Sequence, residues 1–370
     1  MIGASGNVAT CTVAGWAALR AGAFEPLGLT TMAPPLDGLG LVDFDDIAFG
    51  GSEVRDRTLR NTLDDLVAER VLGAEVAGHA EAALADCQRW VCRGVEQPAG
   101  SDAVQAVREE LERFKSEAGV DRLIVLNLAS TEANGAALPA RWDELATALR
   151  GGLTVSPSVV YALAAFETGA AFINFTPSLG SAAPALCELA EVRGMCHAGR
   201  DGKTGETLIK TALAPMFAVR RLHVDSWFSQ NVLGNNDGRA LSDRARREAK
   251  LETKRAAVDD ILGHATESIV NIDYLPSFGD WKVAWNHIHF RGFGGTPMTM
   301  EFTWRGCDTA LAAPLCIDLI RLVDRSMELG EVGVLAHLGV FFKSPMGSSE
   351  HRLAEQYRTL CEHCLGTDGR

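Results

Sequence analysis

Two short, continuously apolar segments, each ending in small polar residues, constrain the fold more than any other feature of the chain. They read LIVLNLAS over residues 123–130 and AAFINFTPS over residues 170–178, and helical patterns at 139–150 and 158–167 lie between them. Strands that are apolar along their whole length are buried on both faces, as in a parallel sheet covered by helices. The alternation continues through MCHAG and a helix from about Thr204, so it predicts an α/β fold with crossover helices.

The polar tails of these two strands indicate where a ligand site would form. In open parallel sheets, ligands bind in the crevice beyond the carboxyl ends of the strands. The segments NLASTEAN (127–134) and NFTPSLGS (174–181) contain these strand ends and the residues that follow them. We therefore expect both segments to line a crevice at one edge of the sheet.

The segment 208–311 differs from the sequence around it. It contains the strand-like pieces ESIVNIDYL and PMTMEFTW and a highly charged helical stretch, and the long apolar helix ALAAPLCIDLIRLVDRSMEL follows. This pattern indicates an insertion with a sheet of its own, after which the chain returns to the first sheet. We expect one domain over 1–207 and 312–370 and a second over 208–311.

Charge and composition exclude several classes of partner and site. The formal net charge of −13 argues against nonspecific binding to nucleic acid or to anionic membranes, because a broad basic field is absent. Nine irregularly spaced cysteines and the lack of a recognisable leader peptide favour the reducing cytoplasm. The segment CEHC (361–364) lacks a second pair of ligands, so no metal site is expected. No uninterrupted apolar run is long enough to cross a bilayer.

The first residues, MIGASGNVATCTVAGWAAL, place Gly3 and Gly6 just before an alanine-rich helix. The amides and dipole of such a helix start suit a pyrophosphate, although a tight turn packed against the helix explains the same pattern. A dinucleotide-binding glycine loop also follows a strand, and almost nothing precedes Gly3. Either the true start of the protein lies upstream or the first strand is missing, and a sheet without that central strand would be hard to stabilise.

The segment DGKTGETLIKTAL places Lys203 to Thr207 where a second helix begins. Free amides, the hydroxyls of Thr204 and Thr207 and the ammonium of Lys203 would converge there on an anion, and the charge of Glu206 would oppose this unless its side chain points away. Ordinary capping of the helix by Thr204 is the alternative.

Several further charged residues have both a structural and a functional interpretation. Lys250 and Lys254 lie four apart, on one face of a helix, where like charges cost about 0.2–0.5 kcal/mol. They form either a solvated face or two ammonium groups directed at a ligand. The residues 235–237 (Asn-Asn-Asp) form either a turn or a set of groups that bind ribose or sugar hydroxyls. Lys343, which follows an apolar aromatic run, is either structural or a base.

Seven short motifs occur in order between residues 127 and 314. They are NLASTE, FINFTPS, DGKTGETLIKT, LGNNDGRALS, KLETK followed by VDD, GDWKVAW and CDTALAAP. Together they resemble the myo-inositol-1-phosphate synthases (inositol-3-phosphate synthases), most closely the shorter bacterial type. The resemblance implies a Rossmann-like NAD-binding domain interrupted by a second α/β domain for catalysis and oligomerisation, whose sheet helps to build a homotetramer.

The resemblance also implies a reaction, the conversion of D-glucose 6-phosphate to 1D-myo-inositol 3-phosphate in inositol and phospholipid biosynthesis. In that family, bound NAD oxidises C5 of the open-chain sugar and C6 then loses a proton. The resulting enolate closes the ring on the C1 aldehyde, and hydride returns to C5. Fixed ammonium groups would stabilise the negative charge on the phosphate, enolate and alkoxide oxygens.

Carried over motif by motif, the resemblance assigns a role to each candidate residue. Lys250 would be the proton shuttle at C5, Lys343 would assist cyclisation, and Asp237 would orient Lys250 or a hydroxyl. Lys254 and Lys282 would hold the phosphate and the developing charge. The substrate phosphate would also contact Thr204, Gly205, Glu206 and Thr207. The NAD site would comprise Gly3, Gly6, Asn7, Asn127, Ala129, Ser130, Thr131, Asn235, Asn236, Asp280 and Asp308.

Two alternatives stay open at this point. One is a NAD-dependent dehydrogenase of another sugar or cyclitol phosphate, which would release NADH. The other is a catalytically inactive paralogue that binds a sugar phosphate or a nucleotide. The absent first strand favours this second alternative, as does Glu206, which stands where members of the family often carry glutamine.

Overall fold

The computed structural model describes residues 1–133, 135–234 and 258–367, which build two sheets and the helices around them. Its helices are α1 (Asn7–Arg20), α2 (Leu59–Ala68), α3 (Ala74–Arg89), α4 (Ser101–Ala118), α5 (Trp142–Arg150), α6 (Pro157–Glu167), α7 (Pro184–Arg193), α8 (Glu206–Val219), α9 (Asp308–Glu328) and α10 (Leu353–Thr367). Its strands are β1 (Gly51–Glu53), β2 (Val91–Arg93), β3 (Ile124–Asn127), β4 (Ala171–Asn174), β5 (Cys196–Gly199), β6 (His223–Leu233), β7 (Glu267–Tyr274), β8 (Trp281–Arg291), β9 (Pro297–Cys307) and β10 (Gly333–Val334).

The first sheet is parallel throughout and runs in the order β2-β1, then Ile2, then β3-β4-β5-β10. Ile2 pairs with Ser52 of β1 on one side and with Asn127 of β3 on the other. The amide of Ser52 donates to the carbonyl of Met1, and the amide of Leu128 donates to the carbonyl of Ile2. Among the described residues, Ile2 alone therefore occupies the place between β1 and β3 where the first strand was expected to be missing. The sheet holds because both neighbouring strands find backbone partners there.

Helices cover both faces of this sheet, as the continuous apolar runs predict. Phe172 of β4 packs edge-on against Phe166 of α6, with the ring centroids 6.4 Å apart. The next residue, Ile173, points to the opposite face, where it packs in one cluster with Leu319 and Val323 of α9. The first sheet is therefore the middle layer of an α/β/α arrangement.

The second sheet has the order β7-β6-β8-β9, with β6 and β7 parallel and the other pairs antiparallel. Alternate residues of β8 are buried: Ile288 packs against Phe217 of α8, and Lys282 is on the same face of the strand. Trp281 and Trp285 point to the opposite face and are exposed. The strands of this sheet lie within the expected second domain, and the division into domains itself stays a prediction.

The CEHC segment lies in α10, where Cys361 and Cys364 are free thiols. His363 stacks on His337 with the ring centroids 3.6 Å apart, and its Nε2 lies 2.6 Å from Glu331 Oε1. The ligand atoms of these three residues are within 4.8 Å of one another.

Candidate active site

A cavity of about 700 Å³ is bounded by elements of both sheets and lies beyond the carboxyl ends of β3 and β4. It is the crevice that the polar tails of these strands predicted. With the exception of Lys203, the site residues proposed from the sequence and described by the structure line it: Gly3, Gly6, Asn7, Asn127, Ala129, Ser130, Thr131, Thr204, Gly205, Glu206, Thr207, Asp280, Lys282, Asp308 and Lys343. The remaining candidates lie outside the described residues: Asn235, Asn236, Asp237, Lys250 and Lys254.

The start of α1 forms one wall through a tight glycine turn. Gly3 has a φ of +76°, and a Cβ there would lie 3.1 Å from the Cα of Ala129. The helix begins after Gly6, and no side chain caps its first amides. Uncapped amides at a helix start are suited to bind an anion.

Beside this turn lie Glu53 and Arg55, two residues that the sequence reading missed. Glu53 is buried, and its Oε2 accepts hydrogen bonds from the amide of Ser5 at 3.1 Å and from Arg55 Nη2 at 2.8 Å. Burial alone would raise the pKa of Glu53, but the hydrogen bonds and charge of Arg55 lower it. The sequence signal that could have identified Glu53 is an acidic residue at the end of a strand next to a glycine loop. The strand reads GSE, which is too short and polar to be recognised.

The start of α8 forms a second wall. The helix begins at Glu206 after Gly205, again without a side-chain cap. A Cβ on Gly205 would lie 2.8 Å from Trp304 Nε1, so the close approach of strand β9 requires glycine. Thr204 Oγ1 donates to Asp308 Oδ1 at 2.9 Å and does not cap the helix, which removes the capping interpretation of this residue.

One residue of this segment was predicted wrongly. Lys203 was expected to direct its ammonium at the anion, but its side chain is buried away from the cavity and donates to Gln356 of α10. Burial lowers the pKa of Lys203 to about 8. The contact with Gln356, and not the position of Lys203 beside the helix start, decides where this side chain points.

Two of the predicted lysines meet carboxylates at the cavity. Lys282 Nζ lies 3.3 Å from Asp308 Oδ2, and Lys343 Nζ lies 2.8 Å from Asp201 Oδ1. Burial alone would raise the pKa of Asp308, but the charges of Lys282 and Lys343 and the hydrogen bonds from Thr204 and Lys282 lower it to about 2. Asp308 is therefore ionised at neutral pH, with two ammonium groups close enough to stabilise its charge.

Asp280 connects the two sides of the cavity. Its Oδ1 accepts a hydrogen bond from Asn7 Nδ2 of α1 at 3.2 Å, and its Oδ2 accepts one from Cys307 Sγ of β9 at 3.2 Å. The side chain is buried and belongs to the residue just before β8. Asp280 thus ties the first helix to the second sheet, close to Lys282.

A third missed residue, Lys210, pairs with Glu206 one turn further along α8, at 3.1 Å. Both side chains are buried, and burial lowers the pKa of Lys210 although Glu206 raises it. The spacing of four residues on one helix was a signal for this ion pair in the sequence.

A family model described as "Myo-inositol-1-phosphate synthase" matches residues 205–309. The chain is 30% identical to inositol-3-phosphate synthase 1 of Bacteroides thetaiotaomicron over 399 aligned residues. This alignment covers 95% of this chain and 90% of that protein. The chain belongs to the myo-inositol-1-phosphate synthase family. The resemblance read from the seven motifs is confirmed.

Solved structures support the synthase fold. Inositol-3-phosphate synthase from Caenorhabditis elegans matches with a TM-score of 0.85 at 23% identity, over 98% of this chain and 84% of that one. A myo-inositol-1-phosphate synthase-related protein from Thermotoga maritima matches with a TM-score of 0.80 at 25% identity, over 98% and 97%. The expected fold, a Rossmann-like unit joined to a second α/β unit, is confirmed. Within the described part of this synthase-family chain, no helix is both long and apolar enough to cross a membrane.

Proposed function

We propose that this chain is an inositol-3-phosphate synthase that converts D-glucose 6-phosphate to 1D-myo-inositol 3-phosphate with NAD. The single observation that carries the proposal is that Lys282, paired with Asp308, and Lys343, paired with Asp201, line the same cavity as the α1 glycine turn. A redox cofactor and a sugar phosphate must lie side by side for this reaction. The cavity offers a helix start for each of them.

The α1 side fits NAD. A tight glycine turn, uncapped amides and a buried acid at the end of the adjacent strand are the features that dinucleotide sites share. Gly3, Gly6 and Asn7 would hold the pyrophosphate, Glu53 the ribose hydroxyls, and residues 127–131 the remaining wall. When bound, NAD supplies reversible hydride transfer at a sugar carbon.

The α8 side fits the phosphate of the sugar. The amides of Glu206 and Thr207 lie in the first turn of the helix, where no side chain caps them. Lys282 lies beside this turn, because Asp308 accepts hydrogen bonds from both Lys282 and Thr204. A phosphate dianion is stabilised by such a combination of amides, helix dipole and ammonium group.

The lysines then act on the reacting atoms of the sugar. Lys282 and Lys343 would stabilise negative charge on enolate and alkoxide oxygens, since fixed ammonium groups in a cleft are worth most where charge develops. Lys343 would serve the carbonyl that is attacked. Lys250 as the proton shuttle at C5, Lys254 as a phosphate ligand and Asp237 as an orienting group remain part of the proposal and lie outside the described residues.

A homotetramer is part of the same proposal. The open face of the second sheet exposes large apolar side chains, among them Ile269, Trp281 and Trp285. An exposed apolar patch on a sheet is typical of a surface that binds another protein. A second copy of this chain is the partner that the family resemblance implies. Light scattering on the purified protein measures the oligomeric mass directly.

The decisive experiment is incubation of the protein with NAD and glucose 6-phosphate, followed by 31P NMR and mass spectrometry of the products. An inositol phosphate should form. NADH, followed by its absorbance, should stay at a constant level below one equivalent per active site. Stoichiometric accumulation of NADH with sugar oxidation would instead identify a dehydrogenase. Binding of both ligands without any product would identify a paralogue that only binds them.

A further inference from the structure

Directly behind the first turn of α8, Glu206 and Lys210 form a buried ion pair. The two side chains are 1% and 2% exposed, and Lys210 Nζ lies 3.1 Å from Glu206 Oε1. Glu206 lines the cavity, whereas Lys210 does not. Glu206 therefore contributes to the wall of the cavity with its carboxylate buried, and its counter-charge lies one layer behind.

The second sheet holds this ammonium group in place. Lys210 Nζ donates to Ser229 Oγ at 2.8 Å, and Ser229 Oγ donates to Asn286 Oδ1 at 2.7 Å. Trp227 Nε1 donates to the same oxygen at 2.9 Å, and the Lys210 ammonium lies 5.7 Å from the centre of the Trp227 ring. Strands β6 and β8 thus fix the position of Lys210 beneath Glu206.

Stability alone does not explain such a pair. Burying two charges costs free energy that a packed apolar pair of similar size would not cost. A carboxylate in the first turn of a helix also interacts with the positive end of the helix dipole and repels any other anion there. Glu206 is therefore a poor neighbour for a phosphate unless a cation cancels its charge.

We propose that Lys210 is a positioning residue that cancels the charge of Glu206, so that the start of α8 can accept the phosphate dianion of a sugar phosphate. The proposal rests on the proposed function, which places the phosphate at this helix start. Lys210 is too deeply buried to touch the substrate. Glu206 and Lys210 together carry no net charge, so the amides of α8 and the ammonium of Lys282 determine the local potential.

A double-mutant cycle tests this proposal, with glucose 6-phosphate titrated calorimetrically into the NAD-loaded protein and with steady-state kinetics in parallel. Lys210→Met keeps the length of the side chain and removes its charge. This substitution should raise the Kd for glucose 6-phosphate about ten- to hundredfold, because the uncompensated carboxylate of Glu206 then repels the phosphate. Each tenfold rise corresponds to about 1.4 kcal/mol of binding free energy. Its kcat should stay within about threefold, because the reacting groups are unchanged.

The double variant Glu206→Gln with Lys210→Met should bring the Kd back to within about threefold of the wild type, because both charges are gone. Glu206→Gln alone should bind at least as tightly as the wild type, since it removes the repelling carboxylate. Lys115→Met on α4, away from the cavity, is the matched control and should change nothing. Thermal unfolding of each variant establishes that it is folded.

The outcomes separate the two proposals. A double variant that binds as weakly as Lys210→Met, or a Lys210→Met that loses kcat at an unchanged Kd, overturns the role of Lys210. If Lys210→Met does not fold, Glu206→Gln and the double variant decide, and weaker binding by either one contradicts the proposal. If the wild type binds glucose 6-phosphate but forms no product, the proposed function is rejected. The double-mutant cycle then still tests the role of Lys210, because it measures binding. A wild type that does not bind it overturns both.

Discussion

Two helices, α1 and α8, begin at the wall of the same cavity and are supported in different ways. Each follows a glycine and lacks a side-chain cap. At α1 the nearby carboxylate, Glu53, belongs to β1 and is held by Arg55, whose side chain is 45% exposed. At α8 the carboxylate, Glu206, belongs to the helix itself and is held by Lys210, whose side chain is 2% exposed.

This difference shows how far each side of the cavity can adjust to a ligand. Because Arg55 is half exposed, water and salt weaken its interaction with Glu53, and its side chain can move when a dinucleotide binds. A wholly buried pair cannot release one partner without leaving an uncompensated charge. The α1 side is therefore held mainly by its backbone, whereas the α8 side is held by fixed charges.

The largest expected effect is on the α8 side. Lys282→Met removes an ammonium group that contacts Asp308, and it should lower kcat by about 10²–10³-fold, or roughly 3–4 kcal/mol. The affinity for NAD should stay within about threefold, because the α1 turn is unchanged. Product formation and NAD titration measure the two quantities, with Lys115→Met as the control. Equal losses of turnover and NAD affinity would mean that the two sides are not separable.

The backbone dependence of the α1 side is tested at Gly51. A Cβ there would lie 2.1 Å from the carbonyl oxygen of Met1. Gly51→Ala must therefore disturb the pairing of Ile2 with Ser52, which joins Ile2 to β1. We expect a loss of about 1–3 kcal/mol in the free energy of unfolding, as for other overpacked sites. Gly78→Ala in α3 meets no neighbouring atom and should instead stabilise the protein by about 0.5–1 kcal/mol. Urea denaturation of both variants checks the contrast, and equal midpoints would refute it.

These two sides also differ in how well the sequence predicts them. β3 and β4 were recognisable because buried parallel strands are apolar along their whole length. Lys282 could be placed with them because its motif resembles one family. The junction at Ile2 could not be predicted, since one residue with two backbone partners has no periodicity to read. Glu53 was missed for the same reason, because β1 carries no apolar pattern.

Side-chain direction was the other limit. A helix start indicates which amides are free, but it does not indicate where a long neighbouring side chain turns. Lys203 turns to Gln356, which is 153 residues away in the chain, and Lys210 turns to Ser229 of the second sheet. Only the packing of distant elements decides between these directions. The sequence therefore predicted which segment lines the cavity but not which lysine lies behind it.

A smaller effect is expected from pH. Asp308 has a pKa of about 2 in the folded protein, below its ordinary value of 3.8, so its ionised form stabilises the fold above pH 4. This contribution, about 2 kcal/mol, should be lost as the pH falls from 4 through 2. Asp308→Asn should remove that part of the pH dependence. Free energies of unfolding at pH 5, 4 and 3 measure it, and parallel curves for the variant and the wild type would exclude this role of Asp308.

The smallest effect is expected at Arg55, and it tests directly whether the α1 side of the cavity can adjust to a ligand. Arg55→Ala removes the half-exposed partner of the buried Glu53; because water reaches the Arg55 side, we expect a loss of about 1 kcal/mol, or a rise in the Kd for NAD of only about threefold to fivefold. The loss should shrink further at high salt, because exposed charges are screened. The KM for glucose 6-phosphate should not change, which is the opposite of what Lys210→Met is expected to do. Arg60→Ala, which removes an exposed surface pair with Glu81, is the matched control. If Arg55→Ala weakened sugar-phosphate binding as strongly as NAD binding, the charges of the two sides would act as one unit, and the contrast between a backbone-held and a charge-held helix start would fail.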